Sequence, residues 1–397
     1  MRINPFIFLM ASLSSASISK EVVRVSASPS KRTTPSEFVR LPTLRVYSGN
    51  SSDPVELVLD SQESRSNLMV PLTVEMIEAE AREHEDDESY FPSSMDEVLM
   101  LFRIRNSWEG EPDLVIENVK VLTHKYLPME SEELINPGVL AIGPSSAFAN
   151  RFKSFVLLPS YLGEGSDRRI VKQLTLNPVN PGCDCAGPDY RMKRATAIRV
   201  PGIGYTTADV WAVMGSTRII TNDKEAGSAV EASVFRGAVA ATPTPNLTSK
   251  QARYHISTTS NSDRIPEEIY DAFVAYITAQ GGSVSSTVFF DTPAVTRIEN
   301  CEMITSWPKL VYAIELVEDD ASRVFEIVID ESDYLTIEYD DDSPSRPSCF
   351  LNVEPARQVY SKPIEDYFIG VNAMNKVAIH FDNVRRQLGF CYSSLVR

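Results

Sequence analysis

The sequence is short of basic residues: 38 Lys and Arg stand against 54 Asp and Glu, a formal net charge of −16. A nucleic-acid binder needs a basic face, so this balance excludes that class of partner. Acidity favours solubility and repels anionic membranes, but it selects no substrate. No apolar run approaches the roughly 20 residues that cross a bilayer, so no membrane span is expected. Histidine is scarce, with four in the chain, and none is a sequence neighbour of the Cys-x-Cys pair Cys183 and Cys185. A structural metal site of that kind needs a second ligand pair, so neither a metal nor a cofactor is expected. Common catalytic signatures are missing as well: there is no G-x-S-x-G, no P-loop and no H-E-x-x-H.

What is present is an ordinary globular composition, 43% hydrophobic and 23% charged, over 397 residues, enough for two domains. The opening MRINPFIFLMASLSSASISK carries one Arg, an apolar run from Pro5 to Leu13, and small residues at Ala16 and Ser17. This reads as a secretory signal peptide over residues 1–17. Asn50 and Asn246 begin N-x-S/T sequons, which fit glycosylation on that route. Five cysteines, Cys183, Cys185, Cys301, Cys349 and Cys391, give two disulfides and one leftover thiol in an oxidising compartment. A secreted protein is expected.

Residues 18–40 are rich in Ser, Thr, Lys and Arg without periodicity and read as a leader or short pro-segment. From Leu41 the chain becomes strand-like. LRVY, VELVLD, VLMLFRI, LVIENVKV, SFVLLP and KQLTL alternate or cluster β-branched and aliphatic residues between turn signals. AIRV, DVWAVM, TRIIT, KLVYAIELV, VFEIVID, YLTIEY and VAIHF form a second series. The chain is expected to be all-β in two halves, 41–200 and 201–397, divided near Ala195 to Thr206. Two helices stand out. Thr73–Glu85 runs into the acidic cluster EDDE, a solvated face. Pro266–Thr278 has Pro and two Glu at its start and an apolar stripe of Ile269, Phe273, Val274 and Ile277.

Taken in order, these segments resemble the pepsin-like aspartic proteases. Val55–Pro71 (VELVLDSQESRSNLMVP) is similar to that family's strand and D-T-G-S-S-N-L-W-V-P stretch, with Asp60 in the place of the first catalytic aspartate. PGVLAIGPSS is similar to D-G-I-L-G-L-G, and DVWAVM to the strand that opens the second lobe. HISTTSNSDRIPEEIYDAF resembles the second catalytic loop and its helix. Cys301 with WPKLVYAIEL, FEIVIDESDYL and Cys349 resembles the second-lobe disulfide and its strand pair. Phe368–Phe390 resembles the family's terminal I-L-G to I-G-F segment. The resemblance implies a bilobal pepsin-like acid protease fold, two pseudo-two-fold-related β lobes around a central cleft. It further implies that Cys301 pairs with Cys349, and that Cys391 reaches back to Cys183 or Cys185.

The family's reaction needs two carboxylates sharing one proton, because like charges about 3 Å apart cannot both ionise. Counting back from Pro266 puts the second aspartate position on Ser257, and a serine does not ionise near working pH. Asp291, in VFFDTPA, leaves nine residues before Cys301, too few for the helix and strands that should intervene. Asp263 falls six positions late, where the family has an apolar strand residue. The loops Asp60-Ser61-Gln62 and Ser257-Thr258-Thr259 both lack the family's glycine, so Gln62 and Thr259 add side chains there. Ser61 and Thr258 keep hydroxyls where the family's threonines lock the loops together. Hydrogen bonds from its loop are expected to lower the Asp60 carboxyl. In the hairpin that matches the flap, Arg105 falls near the tyrosine position and Pro112 at a glycine position. Trp108, at the tip, is an apolar lid or a packed or exposed side chain. His255 shares a strand face with Ser257, but no carboxylate orienter can be named. His84, His124 and His380 read as surface or packing residues.

The expected function is that of a catalytically inactive homologue, a monomer binding a peptide or protein ligand in its cleft or on its loops. The alternative is an atypical aspartic-type endopeptidase using Asp60. A storage-like secreted glycoprotein is the third reading.

Overall fold

The computed structural model describes residues 21–24, 26–27, 42–48, 52–71, 95–105, 113–126, 138–162, 169–178, 185, 192–197, 200–201, 207–208, 210–221, 249, 251–260, 262–287, 295–317, 323–340, 343–356 and 366–393. The expected signal peptide, the helix expected over Thr73–Glu85, and Asn50, His84, Trp108, Pro112, Cys183, Asn246 and Asp291 lie outside them.

Within these residues the protein is mostly β. A seven-stranded sheet is built from the first half. Pro42–Ser48 pairs antiparallel with Pro54–Asp60, and Gly138–Ala141 runs parallel beside the latter. Ser66–Pro71 is antiparallel to Gly138–Ala141 and parallel to Leu114–Tyr126, which forms a hairpin with Met95–Ile104. Leu57, Val58 and Leu59 are all buried, as a strand covered on both faces requires.

A second seven-stranded sheet repeats this order with residues of the second half. Ala212–Ile220, Ala252–Ile256, Asp366–Ile369, Asp263–Ile265 and Val353–Pro355 follow one another with the same sequence of antiparallel and parallel pairings. Lys309–Glu315 and Val324–Ile329 extend the other edge. The repeat sets Asp60 at the end of one strand and Ser257 just beyond its counterpart.

A six-stranded antiparallel sheet draws on both halves, in the order Glu21–Arg24, Arg169–Leu176, Ser154–Leu162, Val377–Asp382, Gln387–Tyr392, Lys193–Thr196. Every residue of Val377–Asp382 is buried, which marks it as the covered centre of this sheet. Phe381 stacks on Phe155 at 4.8 Å and meets the Trp211 ring edge-on at 5.4 Å, tying the sheet to the start of the second repeat.

The sequence expectations need adjustment in three places. AIRV is not one strand: the strand lies earlier, at Lys193–Thr196, and Val200–Pro201 pairs instead with Thr207–Ala208. DVWAVM and TRIIT merge into the single strand Ala212–Ile220, with Trp211 just before it. Glu21–Arg24, within the stretch read as a leader, forms an edge strand of the six-stranded sheet. The helix expected over Pro266–Thr278 is present as Glu267–Ala279. Pro266 is at its N-cap, Glu267 and Glu268 are in its first turn, and Ile269, Tyr270, Phe273 and Ile277 are buried. Val274 packs only partly against the core.

Cys301 is bonded to Cys349 and Cys185 to Cys391. The first closes a 48-residue loop and fastens a short helical turn to Ser343–Leu351; the second spans 206 residues. Replacing Cys301 and Cys349 together by serine should lower unfolding free energy by up to about 4 kcal/mol on the chain-entropy account. Equilibrium denaturation checks the loss, and non-reducing peptide mapping should return Cys301–Cys349 and Cys185–Cys391 as the linked pairs.

Candidate functional site

The two sheet repeats meet through their loops. Ser61 N–H donates to Thr258 Oγ1 at 2.9 Å, and Thr258 N–H donates to Ser61 Oγ at 3.1 Å. The Ser61 hydroxyl donates to the Ile256 carbonyl and the Thr258 hydroxyl to the Leu59 carbonyl, each at 2.5 Å. Each partner does to the other what is done to it, so Ser61 matches Thr258 and Leu59 matches Ile256. The residue between them on one side is Asp60 and on the other Ser257. Ser61 and Thr258 are wholly buried, where an unmade hydrogen bond is most costly.

The surrounding glycines repeat the symmetry. A Cβ on Gly143 would lie 2.4 Å from the Glu63 carbonyl, and one on Gly370 would lie 2.8 Å from the Ser260 carbonyl. Both positions are closed to any side chain by the backbone carbonyls of the adjoining loop, Ser61 and Glu63 on one side and Ser260 and Ser262 on the other.

Asp60 is partly buried. Its Oδ1 accepts the Gln62 N–H at 2.8 Å, and the Thr259 hydroxyl reaches its Oδ2 at 3.4 Å. Contrary to the sequence expectation, its carboxyl is raised above the ordinary aspartate value. Desolvation pushes it up, and the bonds from Gln62, Glu63 and Thr259 only partly offset this. Glu63 is also raised, by desolvation first and then by the Asp60 charge, against the pull of Arg65. Ser257 Oγ accepts the Ser260 N–H at 3.1 Å and sits 3.4 Å from Thr259 Oγ1. It is buried and supplies a neutral hydroxyl where Asp60 supplies an acid.

Gln62 takes a path the sequence did not reveal. Its Nε2 donates to the Ile256 carbonyl at 2.6 Å and to the Trp211 carbonyl at 3.2 Å. Its Oε1 accepts from His255 Nδ1 at 2.9 Å, while the imidazole stacks on Phe368. The side chain is a strut between the repeats. Trp211 adds another, its Nε1 donating to the Ile142 carbonyl at 3.2 Å.

Other candidate residues fall elsewhere. Arg105 is exposed, with its guanidinium 5.0 Å from the Tyr47 ring centre, a cation–π contact on the hairpin base. Asp263 is fully buried in its strand against Gly370 and Tyr312, apart from the loop contacts of Asp60. His380 is buried in the six-stranded sheet, and burial drives it down to about 4, so it is a neutral packing residue. Among the described residues, no cluster of three or more His, Cys, Asp or Glu could hold a metal ion. No helix among them is long and apolar enough to cross a membrane.

Two outcomes test this geometry. Ser61→Ala strands the buried Thr258 N–H, and Thr258→Val strands the Leu59 carbonyl and Ser61 N–H. Each should cost about 1–3 kcal/mol in urea unfolding, and the double variant less than the sum. Carboxyl 13C NMR should find Asp60 titrating above the ordinary aspartate midpoint, and Thr259→Val should move it higher still, because the hydroxyl it removes favours the charged form. The Asp60 shift implies that stability falls as pH rises through its folded pKa and is greatest below the unfolded value. No protein-family model matches the chain, and no curated protein matches it.

Proposed function

We propose that the chain is a secreted, bilobal homologue of the pepsin-like aspartic proteases whose catalytic pair is broken, and which uses its cleft or loops to bind a peptide or protein. The observation that carries this reading is the Ser61–Thr258 lock, which matches Ser257 to Asp60. The repeated strand order of the two seven-stranded sheets supports it, as does the six-stranded sheet shared between the halves. Two disulfides fit an oxidising compartment.

The chemistry follows from the pairing. Peptide hydrolysis by such a site requires one carboxylate to take a proton from water while a neutral one polarises the scissile carbonyl. Asp60 can hold one of these states at a time. Ser257 cannot supply the other, since a serine hydroxyl is far too weak an acid to stand in for a carboxylic acid or to exchange its proton with Asp60. The Gln62 side chain adds a bridge between the two loops.

One observation favours the rival, an atypical endopeptidase using Asp60: the Glu63 carboxyl senses the Asp60 charge and gives it an acidic neighbour. Glu63 is exposed, and its carbonyl is held by the Gly143 N–H at 3.0 Å, so it sits on the rim and not across from Asp60.

Purified protein should leave unfolded substrates intact between about pH 3 and pH 6, having lost general acid–base help that is typically worth about 10²–10⁴-fold. Peptides carrying a statine hydroxyl should bind poorly, having lost a charge-assisted bond worth about 1.5–3 kcal/mol. Ser257→Asp with Thr259→Gly and Gln62→Gly should bring back a trace of cleavage. Acid proteolysis by the unmodified protein, abolished by Asp60→Ala and weakened by Glu63→Gln, would establish the rival instead.

A further inference from the structure

Asp263 is a carboxylate with no exposed surface, set in the short strand that follows the Ser257 loop. Its Oδ1 accepts the Gly370 N–H at 2.5 Å, and its Oδ2 has no hydrogen-bond partner. The Tyr312 hydroxyl, from Lys309–Glu315, is also buried without a partner. It lies beside the carboxyl, and like the Gly370 N–H it favours the charged acid, but burial outweighs both.

Every other charged group facing Asp263 is acidic or already committed. Asp333, from the helical turn Glu331–Tyr334, is bound to Lys376 at 2.6 Å, and the same ammonium reaches Asp330 at 2.9 Å. Glu354, from Val353–Pro355, is 3.5 Å from Arg264, whose guanidinium also covers the Phe368 ring. Tyr254 acts on Tyr312 as a further weak acid. Among the described residues, both cations at this cluster are therefore engaged by other carboxylates. An ionised Asp263 would add a buried negative charge beside two acids, with no ion-pair partner of its own.

The place of this acid gives its protonation a mechanical meaning. Gly370, which it holds, packs under the Ser260 and Ser262 carbonyls. Val371 N–H donates to the Ser260 carbonyl at 3.1 Å, and Ser257 N–H donates to the Ile369 carbonyl at 2.9 Å. The turn from Ser257 to Ser262 thus lies on the segment that Asp263 fastens from beneath.

We propose that Asp263 is a proton-operated latch: in its neutral form it clamps the Ser257–Ser262 turn to the segment Ile369–Val371, and its ionisation loosens that turn. The latch is separate from whatever the cleft binds, and it stands whether or not the site is catalytic.

The direction of the effect is set by linkage. Burial raises Asp263 from 3.8 to about 7 in the closed turn, while an opened turn returns it to water. Opening is rarest below the ordinary aspartate value, increases as pH rises toward the folded value, and levels off above it. Amide hydrogen exchange over residues 256–262 and 369–371, corrected for intrinsic rates, should show protection falling about tenfold to a hundredfold between pH 5 and pH 7.5. Asp263→Asn keeps the acceptor for Gly370 but cannot ionise, so its protection should be the same at both values. Tyr312→Phe removes a group that favours the charge and should move the upper midpoint to higher pH. Protection that is equal at the two pH values in the unmodified protein would overturn the latch, as would Asp263→Asn keeping the pH-dependent loss. If Asp263→Asn does not fold, carboxyl NMR of the unmodified protein decides: a midpoint near 4 for Asp263 sinks the proposal, and one near 7 sustains it.

Discussion

Two buried hydroxyls, on Ser61 and Thr258, hold the repeated halves of this protein in register. Each is donor and acceptor at once, and each also caps a carbonyl on the strand that leads to the other's loop. At zero exposure bulk water does not reach these groups, so each hydroxyl depends on the other's geometry. The positions of Asp60, Ser257, Gln62 and Thr259 all follow from it. The lock is made by Ser61 and Thr258, the residues that follow Asp60 and Ser257, so it does not depend on the side chains at those two positions. An acid at Asp60 and a hydroxyl at Ser257 are both compatible with the bonds that hold the loops.

Gln62 shows how the loops accommodate the side chain that stands where glycine was expected. The amide does not crowd Asp60. It turns across to the second repeat, where its NH2 meets two backbone carbonyls and its oxygen meets His255. The same neighbourhood raises the Asp60 carboxyl. The expectation of a lowered value counted hydrogen-bond donors, which are present, but not the desolvation that outweighs them. Burial of a side chain at a loop is a tertiary property that no local pattern records.

Much of the architecture was legible where the signal is local. Alternating or clustered apolar residues marked LRVY, VELVLD, KLVYAIELV and VFEIVID as strands, and they are strands. Pro266 with two following glutamates marked a helix start, whereas the Cys301–Cys349 pairing came only from the resemblance and not from any local pattern. What was not legible is what depends on distant partners. Glu21–Arg24 is a strand because Arg169–Leu176 offers it an edge, not because of its composition. Asp263–Ile265 and Val353–Pro355 are three residues each, too short for periodicity, and each carries a buried acid, Asp263 and Glu354. The site showed the same division: residue identities at Asp60 and Ser257 could be counted, but the Gln62 strut and the acid beneath Gly370 required the fold.

The six-stranded sheet has a consequence for how the chain is made. Ser154–Leu162 needs Val377–Asp382 as its neighbour, with Leu157 opposite Ile379. At about 5–20 residues per second, a ribosome leaves that edge unpaired for roughly ten to forty seconds. The seven-stranded sheet, whose strands lie within residues 26–141, can close during that interval, but the edge beside Phe155 cannot. Cys185 is likewise exposed to oxidation 206 residues before Cys391 exists. Any bridge that Cys185 forms in the meantime is a wrong one, with Cys183, Cys301 or Cys349 as the cysteines already made. Correct maturation therefore depends on an oxidant that also reshuffles, so that the final strands can enter the sheet and claim their cysteine.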